Sequence, residues 1–147
     1  IAYWYFGSLH AFTKFYVLPV IAQGFWLTMV TYLQHQTDDI EVFEDGTWNY
    51  VKGQLQTIDR AYGFGIDYLM HHITDGHVVH HLFFTRIPHY NLMKATAAVR
   101  VQLEKCGAYR NQKTYNFLHE FASLNKRLRY LVGEGTGRLQ YSKEEAN

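Results

Sequence analysis

Residues 15–33, FYVLPVIAQGFWLTMVTYL, form a run of nineteen residues without a charged side chain. A helix of roughly 20 mostly apolar residues crosses a bilayer core about 30 Å thick, so this run predicts a membrane span. Pro19 and Gly24 would weaken a soluble helix, but membrane helices tolerate both residues more readily. The alternative is a buried core helix of a soluble protein. We favour the membrane because residues 1–10 are also uncharged and rich in aromatic side chains.

The composition of the 147 residues excludes several classes of protein. With 48% apolar, 17% aromatic and 18% charged residues, the chain is neither disordered nor collagen-like. Its mean hydropathy of −0.25 is too polar for a wholly embedded chain. The single cysteine, Cys106, cannot form an intramolecular disulfide, so a disulfide-stapled secreted domain is excluded as well. The chain begins at Ile1 within an apolar stretch and without a charged leader region, so we expect it to be part of a longer protein.

Charge and apolar pattern together predict how the chain is organised. Residues 1–82 have a net charge of −5 and residues 83–147 a net charge of +6, and a basic excess is typical of the cytoplasmic side of a membrane. The predicted fold class is therefore all-α, with membrane helices followed by a cytosolic helical part, as a fragment of a larger fold. Three regions are expected: 1–35 with the end of one span, a turn at 11–14 and the last span; 36–106 as the cytosolic part with the histidines; and 107–147 as a C-terminal cytosolic tail.

Apolar spacing and capping residues predict four helices after the span. Asp75 is expected to cap the second of them and Pro88 to end it. The acidic stretch 37–46 and the polar stretch 133–147 are expected to be loops. The predicted helices cover residues 48–60, 76–84, 91–105 and 115–131.

Five of the nine histidines lie within the eleven residues 71–81, HHITDGHVVHH. On a helix, His77, His80 and His81 project from one side, because they are spaced three and four residues apart. His80 and His81 diverge by about 100° around the helix axis, so they could reach two different metal ions. Neutral imidazole is the commonest ligand of transition metals such as iron, copper, nickel and zinc. The alternative is a pair of hydrogen-bonded core histidines with the others on the surface.

One further histidine is well placed to complete a metal site. His35 follows the predicted span directly, near the membrane surface, where it could meet the HVVHH helix. These ligands are still too few for two metal ions, so the remaining ones must come from outside the chain. His119 and Glu120 begin like the zinc motif HExxH, but Ser123 takes the place of the second histidine, so this motif is not present.

Several spaced motifs resemble a known family. HVVHHLFFTRIPHYNLMKAT at 77–96 is similar to the third histidine box, with its extension, of the membrane-bound fatty acyl desaturases, specifically the methyl-end Δ12 (ω-6) and ω-3 enzymes. TYLQH at 31–35 and WNYVKGQLQTIDRAYG at 48–63 resemble two further segments of that family, in the same order. The resemblance extends over about 15–105. The first two histidine boxes of the family are absent from the sequence, so the chain is not expected to be active alone.

The resemblance implies a site with two non-haem irons. It implies His77, His80 and His81 as catalytic metal ligands and His35 as a further ligand. His71 and Asp75 are second-tier candidates. Asp75 or Thr74 would orient an imidazole through its other ring nitrogen, although helix capping is an equal alternative for Asp75. By the same analogy Trp48, Asp59 and Arg60 would lie near the acyl chain or its headgroup, with structural packing as the favoured alternative.

The resemblance also implies the reaction and the partners. The enzyme would insert a cis double bond into a fatty acyl lipid or acyl-CoA, using O2 and electrons from cytochrome b5. It would be a multi-pass protein of the endoplasmic reticulum membrane with a cytosolic C-terminus, and no nucleic-acid partner is expected. The alternatives are a hydroxylase, epoxygenase, acetylenase or conjugase on the same scaffold, a non-catalytic metal- or haem-binding membrane segment, and a soluble helical interaction domain.

Overall fold

The computed structural model describes residues 2–84 and 86–142. The chain divides into two units, Ile1–Tyr32 and Leu33–Asn147. The helices are α1 (Ala2–Phe6), α2 (Leu9–Phe12), a π-helical turn (Thr13–Val17), α3 (Leu18–His35), α4 (Tyr50–Gln54), α5 (Ile66–Leu69), α6 (His77–Leu82), α7 (His89–Lys105) and α8 (Phe117–Arg127). The strands are β1 (Glu41–Phe43), β2 (Asp59–Ala61), β3 (Asn111–Lys113), β4 (Leu131–Val132) and β5 (Arg138–Tyr141).

An apolar helical stretch, Leu9–His35, dominates the N-terminal part of the chain. It has 27 residues and contains an 18-residue window with a mean hydropathy of 1.4, so it is long and apolar enough to cross a bilayer. The break before it lies at Gly7 and Ser8, and not at the predicted turn 11–14. Gly7 adopts a φ of 70°, and the Ser8 hydroxyl caps α2 by accepting a hydrogen bond from the Ala11 N–H at 3.2 Å.

The second unit is not purely helical, which departs from the predicted all-α class. Strand β5 pairs antiparallel with both β1 and β4, and β2 pairs in parallel with β3. These strands have two to four residues each, too short for a recognisable alternating pattern in the sequence. They form because segments far apart in sequence supply each other's backbone hydrogen bonds.

The predicted helix 48–60 is wrong in its second half. Helix α4 begins after Asn49, whose side chain accepts from the Lys52 N–H at 2.9 Å, and it ends at Gln54. Farther along, the N–H groups of Asp59 and Arg60 donate to distant carbonyls, those of Arg110 and Thr74, at 3.1 and 2.9 Å. These residues belong to strand β2, because long-range pairing overrides the local helical spacing.

The other helix predictions agree with the structure to within a few residues. Helix α7 covers the predicted 91–105, and α8 lies within the predicted 115–131 with Asn116 as its side-chain cap. Helix α6 lies within 76–84, but Asp75 does not cap it: the N-cap residue is Gly76, and the Asp75 carboxylate bonds His72 instead. Pro88 stands at the N-cap position of α7, six residues after α6 ends at Leu82.

Residues 133–142 include strand β5, in contrast to the predicted loop. A hairpin joins β4 and β5, and the Glu44 carboxylate accepts hydrogen bonds from the N–H groups of Gly135 and Gly137 at 2.7 and 2.5 Å. Antiparallel pairing with β1 places Val42 opposite Leu139. Residues 143–147 lie outside the described part of the chain.

The core of the second unit surrounds α6. Val78 and Val79 of this helix are fully buried, as are Leu33 at the end of α3 and Leu124 of α8. Helix α6 packs against α7, α4 and β2. The histidine-bearing helix is thus held from several sides, which fixes the directions of its side chains.

Candidate metal centre

Three histidines from two helices meet at one point of the second unit. His35 is the last residue of α3, whereas His77 and His81 lie one turn apart on α6. One ring nitrogen of each lies within 4.8 Å of the corresponding atom of the other two. The Nε2 atoms of His35 and His77 are 3.1 Å apart. We call this set the three-histidine cluster.

Hydrogen bonds orient two of these imidazole rings from behind. The Nδ1 atom of His77 donates to the carbonyl oxygen of Ile73 at 2.9 Å. The Nδ1 atom of His81 donates to the side-chain oxygen of Gln54, also at 2.9 Å. Because both partners are acceptors, the proton resides on Nδ1, and Nε2 carries the lone pair. Metal-binding histidines in proteins are usually held by outer hydrogen bonds of this kind.

Burial keeps the rings of α6 in their neutral form. Removal from water, together with repulsion from the charged forms of His81 and His35, lowers the pKa of His77 to about 2. Burial likewise lowers the pKa of His81 to about 4. A histidine must be neutral to bind a metal, and these two rings meet that condition at physiological pH.

The lowered pKa of His77 predicts a loss of stability in acid. Between about pH 6.5 and pH 2 the unfolded chain binds a proton at this residue that the folded chain does not bind. Lowering the pH from 7 to 4.5 should therefore decrease the free energy of unfolding of the metal-free complete protein. The His77→Gln variant should show a shallower pH dependence in denaturant unfolding.

The exposed His119 provides the control for this measurement. His119→Gln should keep the pH dependence of the wild type. Asp59, whose pKa burial raises to about 6, acts in the opposite direction, but its effect is common to all three proteins and cancels in the comparison. An unchanged slope in His77→Gln would contradict the prediction.

The cluster fits a transition-metal ion. It offers three neutral imidazoles with one ring nitrogen of each within 4.8 Å of the others, and imidazole suits iron, copper, nickel and zinc. His77 is the most buried member of the cluster at 6% exposure, while His35 and His81 are partly exposed. The cluster is therefore held by the core on one side and remains accessible on the other.

His80 lies beside this cluster and is not one of its members. Its ring centroid is 5.9 Å from that of His77 and 5.4 Å from that of His81. Burial lowers the pKa of His80, so this ring is also suited to metal binding. Its position at the edge of the cluster accords with the divergence of His80 and His81 around the helix. The assignment of all four histidines as ligands stays a prediction.

The two second-tier candidates lie outside the three-histidine cluster. The His71 ring packs against His89, with centroids 4.6 Å apart. The Asp75 carboxylate bonds Nδ1 of His72 at 3.1 Å, so it orients a histidine that was not predicted to be a ligand. The backbone carbonyl of Thr74 accepts a hydrogen bond from the Gln34 side chain at 2.8 Å.

The sequence did not identify Gln54 as a partner of His81, whereas it favoured a packing role for Asp59 and Arg60. Gln54 is 27 positions from His81, and no local pattern links the two residues. Asp59 and Arg60 are buried at 3% and 0% exposure, in agreement with the packing alternative. The Trp48 side chain is exposed.

Comparison with known proteins agrees with the histidine pattern. The model of the family "Fatty acid desaturase" matches residues 1–114, which contain every residue of the cluster. The chain belongs to the fatty acid desaturase family. The predicted resemblance to the Δ12 and ω-3 enzymes is confirmed. No solved structure matches this desaturase chain at a significant level.

The relatives of this desaturase chain include enzymes of both types. It is 47% identical over 138 residues to the Delta(12) fatty acid desaturase fat-2 of Caenorhabditis elegans, covering 91% of the chain and 37% of that protein. It is 46% identical over 139 residues to the omega-3 fatty acid desaturase fat-1 of the same organism, covering 92% and 34%. The sn-1 acyl-lipid omega-3 desaturase (ferredoxin) of Synechocystis is 43% identical over 97 residues, or 66% and 26%. The chain thus spans about a third of the length of the two nematode relatives.

Proposed function

We propose that the chain is the C-terminal part of an O2-dependent acyl desaturase and supplies part of its iron site. The observation that carries the proposal is the three-histidine cluster, which joins the end of a membrane-length apolar helix to the HVVHH helix. Membership of the fatty acid desaturase family supports a fatty acyl substrate. The Δ12 and ω-3 relatives support desaturation toward the methyl end of the fatty acyl chain.

The residues of this chain would hold metal and keep the ligand nitrogens in place. His35, His77 and His81 would bind from one side, and His80 would reach a second ion. The Ile73 carbonyl and Gln54 would hold two of the rings in orientation. When bound, two non-haem irons would supply the oxidising reactivity that removes hydrogen from an unactivated CH2–CH2 unit. Side chains alone lack this reactivity. Two hydrogens of the acyl chain, two electrons and two protons reduce O2 to two molecules of water.

The chain is proposed to need the remainder of the protein for activity. Four histidines are too few for two ions, and the chain covers 37% of the nematode Δ12 relative. The missing ligands would come from the other histidine boxes of the family. We therefore propose that every functional test uses the complete reading frame that contains this chain.

The proposed location is the endoplasmic reticulum membrane, with several spans and a cytosolic C-terminus. The apolar helix Leu9–His35 supports membrane insertion. The net charge of +6 over 83–147 supports a cytoplasmic side for the residues that follow. This basic excess would also attract an acidic electron donor, for which we propose cytochrome b5.

The decisive experiment expresses the complete protein, with and without added cytochrome b5, in a host that lacks polyunsaturated lipids. Fatty acid methyl esters are then profiled by gas chromatography and mass spectrometry. We expect a new diene or triene that is absent in a matched His80→Ala variant, and its double-bond position gives the regiospecificity. The acyl carrier follows from the same profile taken on separated phospholipid and acyl-CoA fractions.

Other outcomes would replace the proposal. A hydroxylated, epoxidised, acetylenic or conjugated product would place the protein among the related oxygenating enzymes. An unchanged lipid profile in a well-expressed protein that binds metal would indicate a non-catalytic metal-binding segment. Product that persists in His80→Ala would show that His80 is not a ligand.

A further inference from the structure

Two consecutive charged residues of strand β2, Asp59 and Arg60, are buried between the histidine-bearing helices. Their exposed fractions are 3% and 0%. We propose that this pair is a clamp that sets the separation of His35 from His77 and thereby the metal affinity of the cluster. The proposal rests on the proposed function, because it assigns to the pair a positioning role at the iron site.

Asp59 holds the start of helix α6. Its Oδ1 atom accepts a hydrogen bond from the N–H of Val78 at 2.7 Å, one residue beyond His77. The first N–H groups of a helix have no partner within it, so a buried acceptor stabilises and orients this end. The Oδ2 atom accepts a separate hydrogen bond from the Tyr109 hydroxyl at 2.5 Å.

Arg60 holds the end of helix α3. Its Nε donates to the Leu33 carbonyl at 2.5 Å, and its Nη2 donates to the Gln36 carbonyl at 3.3 Å. The last carbonyls of a helix lack internal partners, and a cation there is favourable. His35 lies between these two carbonyls in sequence, so the guanidinium fixes the backbone on both sides of this histidine.

The guanidinium is fixed in turn by groups of the C-terminal part. Its Nη1 donates to the Thr114 hydroxyl at 2.9 Å and to the Gln112 side-chain oxygen at 2.8 Å. The Glu120 carboxylate lies 3.8 Å from Nη1 and partly balances its charge. Removing one partner from such a network leaves a buried group unsatisfied, so the network is rigid.

Because Asp59 and Arg60 are consecutive residues, they fix the distance between the start of α6 and the end of α3. Successive Cα atoms lie 3.8 Å apart across a trans peptide, so the two attachment points cannot drift apart. Backbone bonds reinforce the link: the Ile58 N–H donates to the Gln34 carbonyl at 3.0 Å, and the Arg60 N–H donates to the Thr74 carbonyl at 2.9 Å. The distance of 3.1 Å between the Nε2 atoms of His35 and His77 depends on this arrangement.

The test measures iron affinity, by competition with a chelator, in purified complete protein carrying changes at Arg60. Arg60→Met should weaken iron binding by about tenfold to a hundredfold, the range seen when support of metal ligands is lost. Arg60→Lys should weaken it less, since an ammonium can still donate to one carbonyl. Arg110→Met is the matched control, because Arg110 also bonds a carboxylate and a carbonyl, those of Asp39 and Leu55.

The control separates a positioning role from a purely structural one. Arg110→Met should lower the unfolding temperature but keep the iron affinity of the wild type. Iron affinity is measured on the folded protein. Equal iron affinity in Arg60→Met and wild type, or an equal loss in Arg60→Met and Arg110→Met, would overturn the clamp.

A second arm at Asp59 decides the question if Arg60→Met does not fold. Asp59→Ala removes the bond to Val78, whereas Tyr109→Phe removes only the bond to the other carboxylate oxygen. We expect weakened iron binding in the first variant and wild-type affinity in the second. The same affinity in both would overturn the clamp. Absence of iron in the wild type would instead refute the proposed function.

Discussion

Replacing His77 with alanine should abolish product formation and release iron from the complete protein. His77 is the most buried member of the cluster, and its Nε2 atom lies 3.1 Å from that of His35. Loss of a direct ligand should exceed the roughly hundredfold upper effect of losing an outer partner. Iron per polypeptide and fatty acid profiles, measured on the same preparations, check this expectation.

His119→Ala is the control for the His77 variant. His119 is exposed on α8 and lies outside the cluster, so this variant should keep both iron and activity. Retention of iron and of desaturation in His77→Ala would contradict the ligand assignment. Loss of product with full retention of iron would assign His77 a role other than metal binding.

Gly76→Val should destabilise the second unit strongly, although glycine makes no side-chain contact. A Cβ atom at this position would lie 2.9 Å from Leu92 Cγ, 3.1 Å from Thr96 Oγ1 and 3.0 Å from the His72 carbonyl oxygen. All three atoms belong to packed segments, so α6 would be pushed away from α7. Overpacking of this kind costs about 1–3 kcal/mol of the free energy of unfolding. Thermal unfolding of the purified complete protein measures the loss.

Ala98→Val provides the matched control for added volume. Ala98 lies on the exposed side of α7, where a larger side chain meets solvent. This variant should unfold close to the wild-type temperature. An equal decrease of the unfolding temperature in both variants, or no decrease in Gly76→Val, would show that the close contact between α6 and α7 does not determine the stability of the second unit.

Those helices whose composition and apolar spacing are evident within one segment could be predicted from the sequence. The apolar run at 15–33 and the helix at 91–105 follow from composition and spacing within a single segment, and the structure has α3 and α7 there. The helix predicted for 48–60 failed at its second half, because Asp59 and Arg60 obtain backbone partners from distant segments. The hairpin after residue 130 was missed for the same reason.

The residues of the candidate site also divide into those that the sequence predicted and those that only the structure revealed. Residue types and spacing singled out His77, His80, His81 and His35, since imidazole chemistry and helical periodicity are properties of the sequence itself. The Gln54 bond to His81 and the clamp at β2 could not be predicted, because they join residues 19 and more positions apart.

The sequence by itself determined the family, the membrane-length apolar helix and the histidines that can serve as ligands. Only the tertiary structure decided that His35, His77 and His81 converge while His80 stands at the edge, and which nitrogen of His77 and His81 faces the centre. The physical reason is that periodicity fixes directions around one helix, whereas distances between helices depend on packing. Here that packing is fixed by the buried charges of Asp59 and Arg60.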